Sequence, residues 1–137
     1  MSDPTLTREI TTLAEALLDF ARDMLRRHRQ FYPFGATIDA AGAVTMVSGD
    51  LGHPWAGGDE LAGLLYEELT RRAAAGDDAV RAAGVCRESD KMVEVQVEHR
   101  SGPAMALILP YRLRRKAVEF GTVTPSEGRR RIFVSPG

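Results

Sequence analysis

Apolar residues recur at steps of four and three through Leu6, Ile10, Leu13, Leu17, Phe20 and Met24, the spacing that lines one side of an α-helix. Ala14, Leu18, Ala21 and Leu25 widen that stripe. Asp3 is placed to cap the start, with Pro4 at the first helical position. Arg26, Arg27, His28 and Arg29 suit the negative end of the helix dipole, and Pro33 forbids continuation. The reading is a helix over 4–29, about 39 Å long at roughly 1.5 Å per residue. A compact domain of this size is about 35–40 Å across, so the helix spans it. Its wide stripe can cover a sheet face and leave an edge for a second copy, which sets the expectation of a homodimer.

Alternation takes over after the helix. Residues 34–39 and 43–48 read as two strands around Ala40-Ala41-Gly42, with glycine where a positive φ is expected. A glycine-rich loop over 48–58 follows. Leu61, Leu64, Leu65 and Leu69 then mark a second helix over 59–75, closed by Gly76. Residues 79–87 and 92–99 form the next two strands. In the second, Val93, Val95 and Val97 face one way while Glu94, Gln96 and Glu98 face the other. Ser101-Gly102-Pro103 reverses the chain into a strand over 104–109, apolar on both sides and therefore central. A three-residue loop there sets Val97 opposite Leu107 and Val95 opposite Leu109. Residues 116–123 and 130–134 read as a terminal hairpin around Pro125-Ser126-Glu127-Gly128.

The expected architecture is a single α+β domain over 1–137. It has one antiparallel sheet of about five to seven strands with two helices packed on it, in the order α-β-β-α-β-β-β-β-β. Its α-β-β-α-β-β-β portion resembles the element order of profilin-like and roadblock-type folds, a likeness of topology that carries no function.

Composition narrows the classes. The 137 residues are 44% hydrophobic and 27% charged, ordinary for a globular chain that buries a core without staples. With 18 Lys+Arg against 19 Asp+Glu, the chain lacks the basic excess of a duplex-DNA binder, and nucleic acid is not an expected partner. The single cysteine, Cys86, forms no internal disulfide. Residues 1–5 lack the charged and apolar regions of a secretion signal, and the longest apolar run, 103–110, is far short of the roughly 20 residues a membrane helix needs. Together these set the expectation of a cytoplasmic protein away from the membrane.

Candidate chemistry is sparse. His28, His53 and His99 have no ligand spacing of the zinc type and read as three solvated histidines, so no metal and no cofactor is expected. Cys86 with His99 as its base is a conceivable nucleophile pair, but Cys86 shares a strand with Val80 and Val85 and reads as buried. The row Glu94, Gln96 and Glu98 reads as a solvated strand face rather than an acid–base pair. Two basic clusters, Arg112, Arg114, Arg115, Lys116 and Arg129, Arg130, Arg131, either meet in one patch or lie on a solvated sheet face. The loop over 48–58 carries Asp50, His53 and Trp55, an aromatic surface beside polar handles, and Tyr111 with Arg112 stands as a second candidate. No phosphate loop, nucleophile elbow or zinc-protease helix is present.

Phe31-Tyr32-Pro33-Phe34-Gly35-Ala36 after the first helix, with Glu98-His99-Arg100 and Leu109-Pro110-Tyr111-Arg112 later, resembles a family of small uncharacterised bacterial proteins. The resemblance covers most of the chain. It implies a bacterial α+β fold with a long N-terminal helix and transfers no activity.

An ample core without a legible catalytic constellation points to a non-enzymatic protein-interaction module, of adaptor, chaperone or immunity type. It would use Asp50, His53, Trp55, Tyr111 and Arg112. The first alternative is a small-ligand sensor with a pocket between the first helix and the sheet, rimmed by His53, Tyr111 and Arg112. The second is an enzyme of unrecognised class.

Overall fold

The computed structural model describes residues 4–47, 58–75 and 79–133. Two helices and seven strands follow the expected order: α1 (Pro4–His28), β1 (Phe34–Ile38), β2 (Val44–Val47), α2 (Gly58–Ala73), β3 (Ala82–Ser89), β4 (Met92–His99), β5 (Ala104–Leu113), β6 (Val118–Phe120) and β7 (Thr124–Ser126). They form one antiparallel sheet, ordered β2-β1-β3-β4-β5-β6, with β7 also paired to β5.

The helices lie on opposite faces of this sheet. Ile10, Leu13, Leu17 and Leu25 of α1 pack on Phe34, Ala36, Ile38, Val93, Val95 and Val97. Leu65, Tyr66 and Leu69 of α2 pack on Val47, Ala83 and Val85 of the other face. Two glycines let the layers close. A Cβ on Gly84 would stand 2.8 Å from both the Gln96 carbonyl oxygen and Leu17 Cδ1, and one on Gly35 would stand 2.9 Å from the Gly84 carbonyl oxygen. The α1 stripe is thus consumed by the chain's own sheet. Phe20, at its margin, remains 38% exposed.

The turns obey local chemistry. Asp39 Oδ1 accepts from the amides of Ala41 and Ala43 at 3.0 and 2.9 Å, and Gly42 takes φ +86°. The β3–β4 turn is tighter than the four residues 88–91 suggest. Ser89 pairs with Met92, and Asp90 and Lys91 both adopt positive φ, as a two-residue primed turn requires.

Two sequence expectations fail in detail. Val97 faces Met105 and Val95 faces Leu107, a register two residues from that expected. The His99 amide donates to the Pro103 carbonyl at 2.8 Å, so the loop is Arg100-Ser101-Gly102, one residue early, with Gly102 at φ +132°. A shift of two keeps every side chain on its expected face. The terminal hairpin does not form: β6 and β7 each pair with β5. Residues 131–133 instead fold over the α2 face, where Ile132 and Phe133 enter the core.

Candidate functional site

Of the residues singled out in the sequence, Asp50, His53 and Trp55 lie outside the described residues. Tyr111 and Arg112 are consecutive on β5, so their side chains point to opposite faces. Tyr111 packs into the α1 core, and its hydroxyl is pushed up to about 12 by burial, then by the charge of Glu88 and a hydrogen bond to it. Arg112 registers opposite Glu119. β2, which ends at Val47, and β5 are four strands apart in the sheet. At about 4.8 Å per strand that is roughly 19 Å.

The basic clusters do not merge. Arg112 stands toward the C-terminal end of β5, whereas Gly128, beside Arg129, presses on the Ala104–Met105 backbone at the other end. Eight residues at about 3.3 Å each put them roughly 26 Å apart. Arg114 pairs with Glu119 at 2.9 Å, and Arg130 donates to the carbonyls of His99, Gly102 and Phe133. These arginines are therefore engaged in holding the fold.

Cys86 is fully buried, and burial pushes its thiol well above the ordinary range. The setting is the reverse of what activates a nucleophile. Among the described residues no group of His, Cys, Asp and Glu is placed to hold a metal ion. No described helix is long and apolar enough to cross a membrane.

His99 corrects the expectation of solvated histidines, being 1% exposed. Its Nδ1 accepts from the Ser101 amide at 3.0 Å, so Nε2 carries the proton and donates to Glu9 Oε1 at 2.9 Å. Arg81 donates to the same carboxylate at 3.1–3.3 Å. Burial alone would raise the Glu9 carboxyl, but the hydrogen bonds from Arg81 and His99 hold it below its ordinary value. Glu98, expected on a solvated face, is 2% exposed. Its two oxygens accept from the amides of Arg131, Ile132 and Phe133, each at 2.8 Å. Arg100 donates to the carbonyls of Ala73 and Val80 at 2.6 and 2.9 Å, and its guanidinium lies 4.9 Å from the Phe133 ring centre. The tripeptide Glu98-His99-Arg100 thus ties β4 to the C-terminal segment, to α1 and to the end of α2. Buried acids, bases and arginines here serve as fasteners.

What the fold leaves open lies elsewhere. Phe34 anchors an aromatic group, with the Phe20 and Phe31 ring centres 4.6 and 5.6 Å away. Phe20 is 38% and the neighbouring Tyr32 65% exposed. Met46, 39% exposed, pairs with Ala36 and so shares the face of Phe34. These residues border β2, which ends the sheet and has no further strand beside it among the described residues. Sequence reasoning placed Phe20 in the buried stripe and gave Met46 no role.

A second opening lies on the other face, between α2 and residues 127–131. It is a cleft of about 270 Å³ lined by Tyr66, Arg87, Glu94, Gln96, Glu127, Arg129 and Arg131. The sequence marked Arg129 and Arg131 as basic, yet gave no reason to join them to Tyr66 or Arg87.

Comparison of the chain with protein-family models, with curated proteins and with solved structures finds no match.

Proposed function

We propose that this chain is a non-enzymatic protein-interaction module, which meets its partner through Phe20, Tyr32 and Met46 beside edge strand β2. The observation that supports it is the juxtaposition of exposed aromatic and thioether side chains with a sheet edge. Such an edge offers main-chain hydrogen bonds to an added strand, and neighbouring apolar side chains supply the anchors. Tyrosine and phenylalanine give large contact area at low entropic cost, and methionine adapts to the partner's shape. The reactive candidates meanwhile sit in structural contacts: Cys86 is enclosed and His99 is bonded on both nitrogens. A cytoplasmic adaptor, chaperone or immunity-type role fits this reading, and a second copy of the chain is one partner the surface admits.

The test is capture of partners from the source lysate on immobilised wild type and on Tyr32→Ala/Met46→Glu, with the oligomeric state of each measured by sedimentation. Both substituted residues are exposed, so the fold should be retained. A protein, or a second copy, held by wild type and lost by the variant supports the reading, especially if binding slows amide exchange at Val44 and Met46, whose amides face away from β1. Equal capture by both proteins overturns it.

A further inference from the structure

The cleft between α2 and residues 127–131 contains an arginine held over a ring, whose side-chain donors are not used by any described residue. Arg131 lies over the Tyr66 ring with its guanidinium carbon 3.9 Å from the ring centre. A guanidinium stacked on a ring keeps its in-plane N–H groups available as donors. Those groups make no hydrogen bond or ion pair with any described residue; the bond to Glu98 comes from the Arg131 backbone amide. The backbone bond and the ring together hold the side chain before any ligand arrives.

Tyr66 supplies an independent observation. The residue is only 8% exposed, yet its hydroxyl has no hydrogen-bond partner among the described residues. Among the described residues no fully enclosed side-chain polar atom is left unpaired, so this hydroxyl opens on the cleft that Tyr66 lines. Burial raises the phenol above its ordinary range; it stays protonated and is a donor. Arg87 and Arg129 complete the basic wall, Arg129 being positioned by its amide bond to Gln96 Oε1 at 3.2 Å. Facing them are Glu94, 4.0 Å from Arg87, and Glu127.

We propose that this cleft binds a small oxyanion-bearing ligand, a carboxylate or a phosphate, received by the Arg131 guanidinium edge and the Tyr66 hydroxyl. A planar guanidinium fork matches the paired oxygens of either group, and charge-assisted bonds of this kind are the stronger class. The two glutamates limit the total negative charge the site tolerates. They favour a small metabolite over a polyanion such as nucleic acid. The volume, near the lower end for small-molecule sites, agrees. This site lies on the opposite face from the strip around Phe20 and stands or falls independently of it.

The experiment titrates wild type, Arg131→Gln and Tyr66→Phe with inorganic phosphate and, separately, with succinate, by thermal shift and calorimetry. Sodium chloride at matched ionic strength serves as the reference. Tyr66→Phe keeps the ring under Arg131 and removes only the hydroxyl, so its melting without ligand should match wild type. For wild type, saturable stabilisation beyond that given by chloride is expected from at least one probe, and whichever probe acts names the source of the oxyanion. Arg131→Gln should weaken binding roughly tenfold or more, and Tyr66→Phe severalfold. No saturable effect of either probe on wild type, or equal binding by wild type and Tyr66→Phe, overturns the proposal.

Discussion

His99 donates from Nε2 to Glu9 Oε1 at 2.9 Å, across ninety positions of sequence. The bond fastens the first turns of α1 to the end of β4, beneath the carboxylate's second partner, Arg81. Because Nδ1 is occupied by the Ser101 amide, the imidazole is held as a single tautomer, and its role is orientation of the helix. Replacing Glu9 leaves the buried His99 Nε2 without its partner.

Glu9→Ala should therefore destabilise the protein by about 2–3 kcal/mol in urea unfolding, the loss expected when one member of a largely buried pair is removed while Arg81 keeps some access to water. Glu9→Gln retains an acceptor for His99 and should lose less.

The same carboxylate gives a pH dependence of known sign. Its folded-state value lies below the ordinary 4.5, so its contribution is fully present above pH 4.5 and is lost as pH falls through the folded value. The stability gap between wild type and Glu9→Gln should shrink with acidification below pH 4.5 and stay level from pH 5 to 7. A gap that widens with acid would contradict the assigned role.

Glu98 accepts three amide hydrogen bonds from residues 131–133. Glu98→Ala should cost about 2–4 kcal/mol, since it orphans buried amides and loosens Ile132 and Phe133 from the α2 core. Hydrogen exchange should accelerate first at the amides of Ile132 and Phe133, ahead of global unfolding.

Gly84→Ala should destabilise by about 1–3 kcal/mol, the usual range for overpacking. The added Cβ would meet a backbone oxygen at 2.8 Å, which cannot rotate away, as well as Leu17 Cδ1. Chemical denaturation midpoints for Gly84→Ala and wild type decide this.

Cys86 should react with a thiol reagent only after unfolding, because its thiol is enclosed and kept protonated by burial. Rapid modification of the native protein would reopen the case for a reactive cysteine.

Much of this was readable along the chain because periodicity is a local property. The stripe from Ile10 to Leu25 and the alternation Val93-Glu94-Val95-Gln96-Val97 set helix and strand with their buried faces. Carried two residues further, that alternation also points His99 inward. It was the histidine's polarity that suggested solvent. Glu98 is a different case. Its partners are backbone amides 33–35 positions away, and every non-proline residue owns such an amide, so no residue type announces the contact.

The sequence by itself determined both helices, the order of the elements and the face that the α1 stripe and Val93, Val95 and Val97 turn to the core, since backbone geometry and side-chain spacing act within a few residues. Only the tertiary structure decided that α1 and α2 take opposite faces and that β6 and β7 both join β5. It also decided that Tyr111 turns into the α1 core, and that Tyr66 and Arg131 meet across sixty-five positions. These outcomes depend on which apolar surfaces find one another and which polar groups are enclosed when they do. Both are settled by the packing of the whole chain.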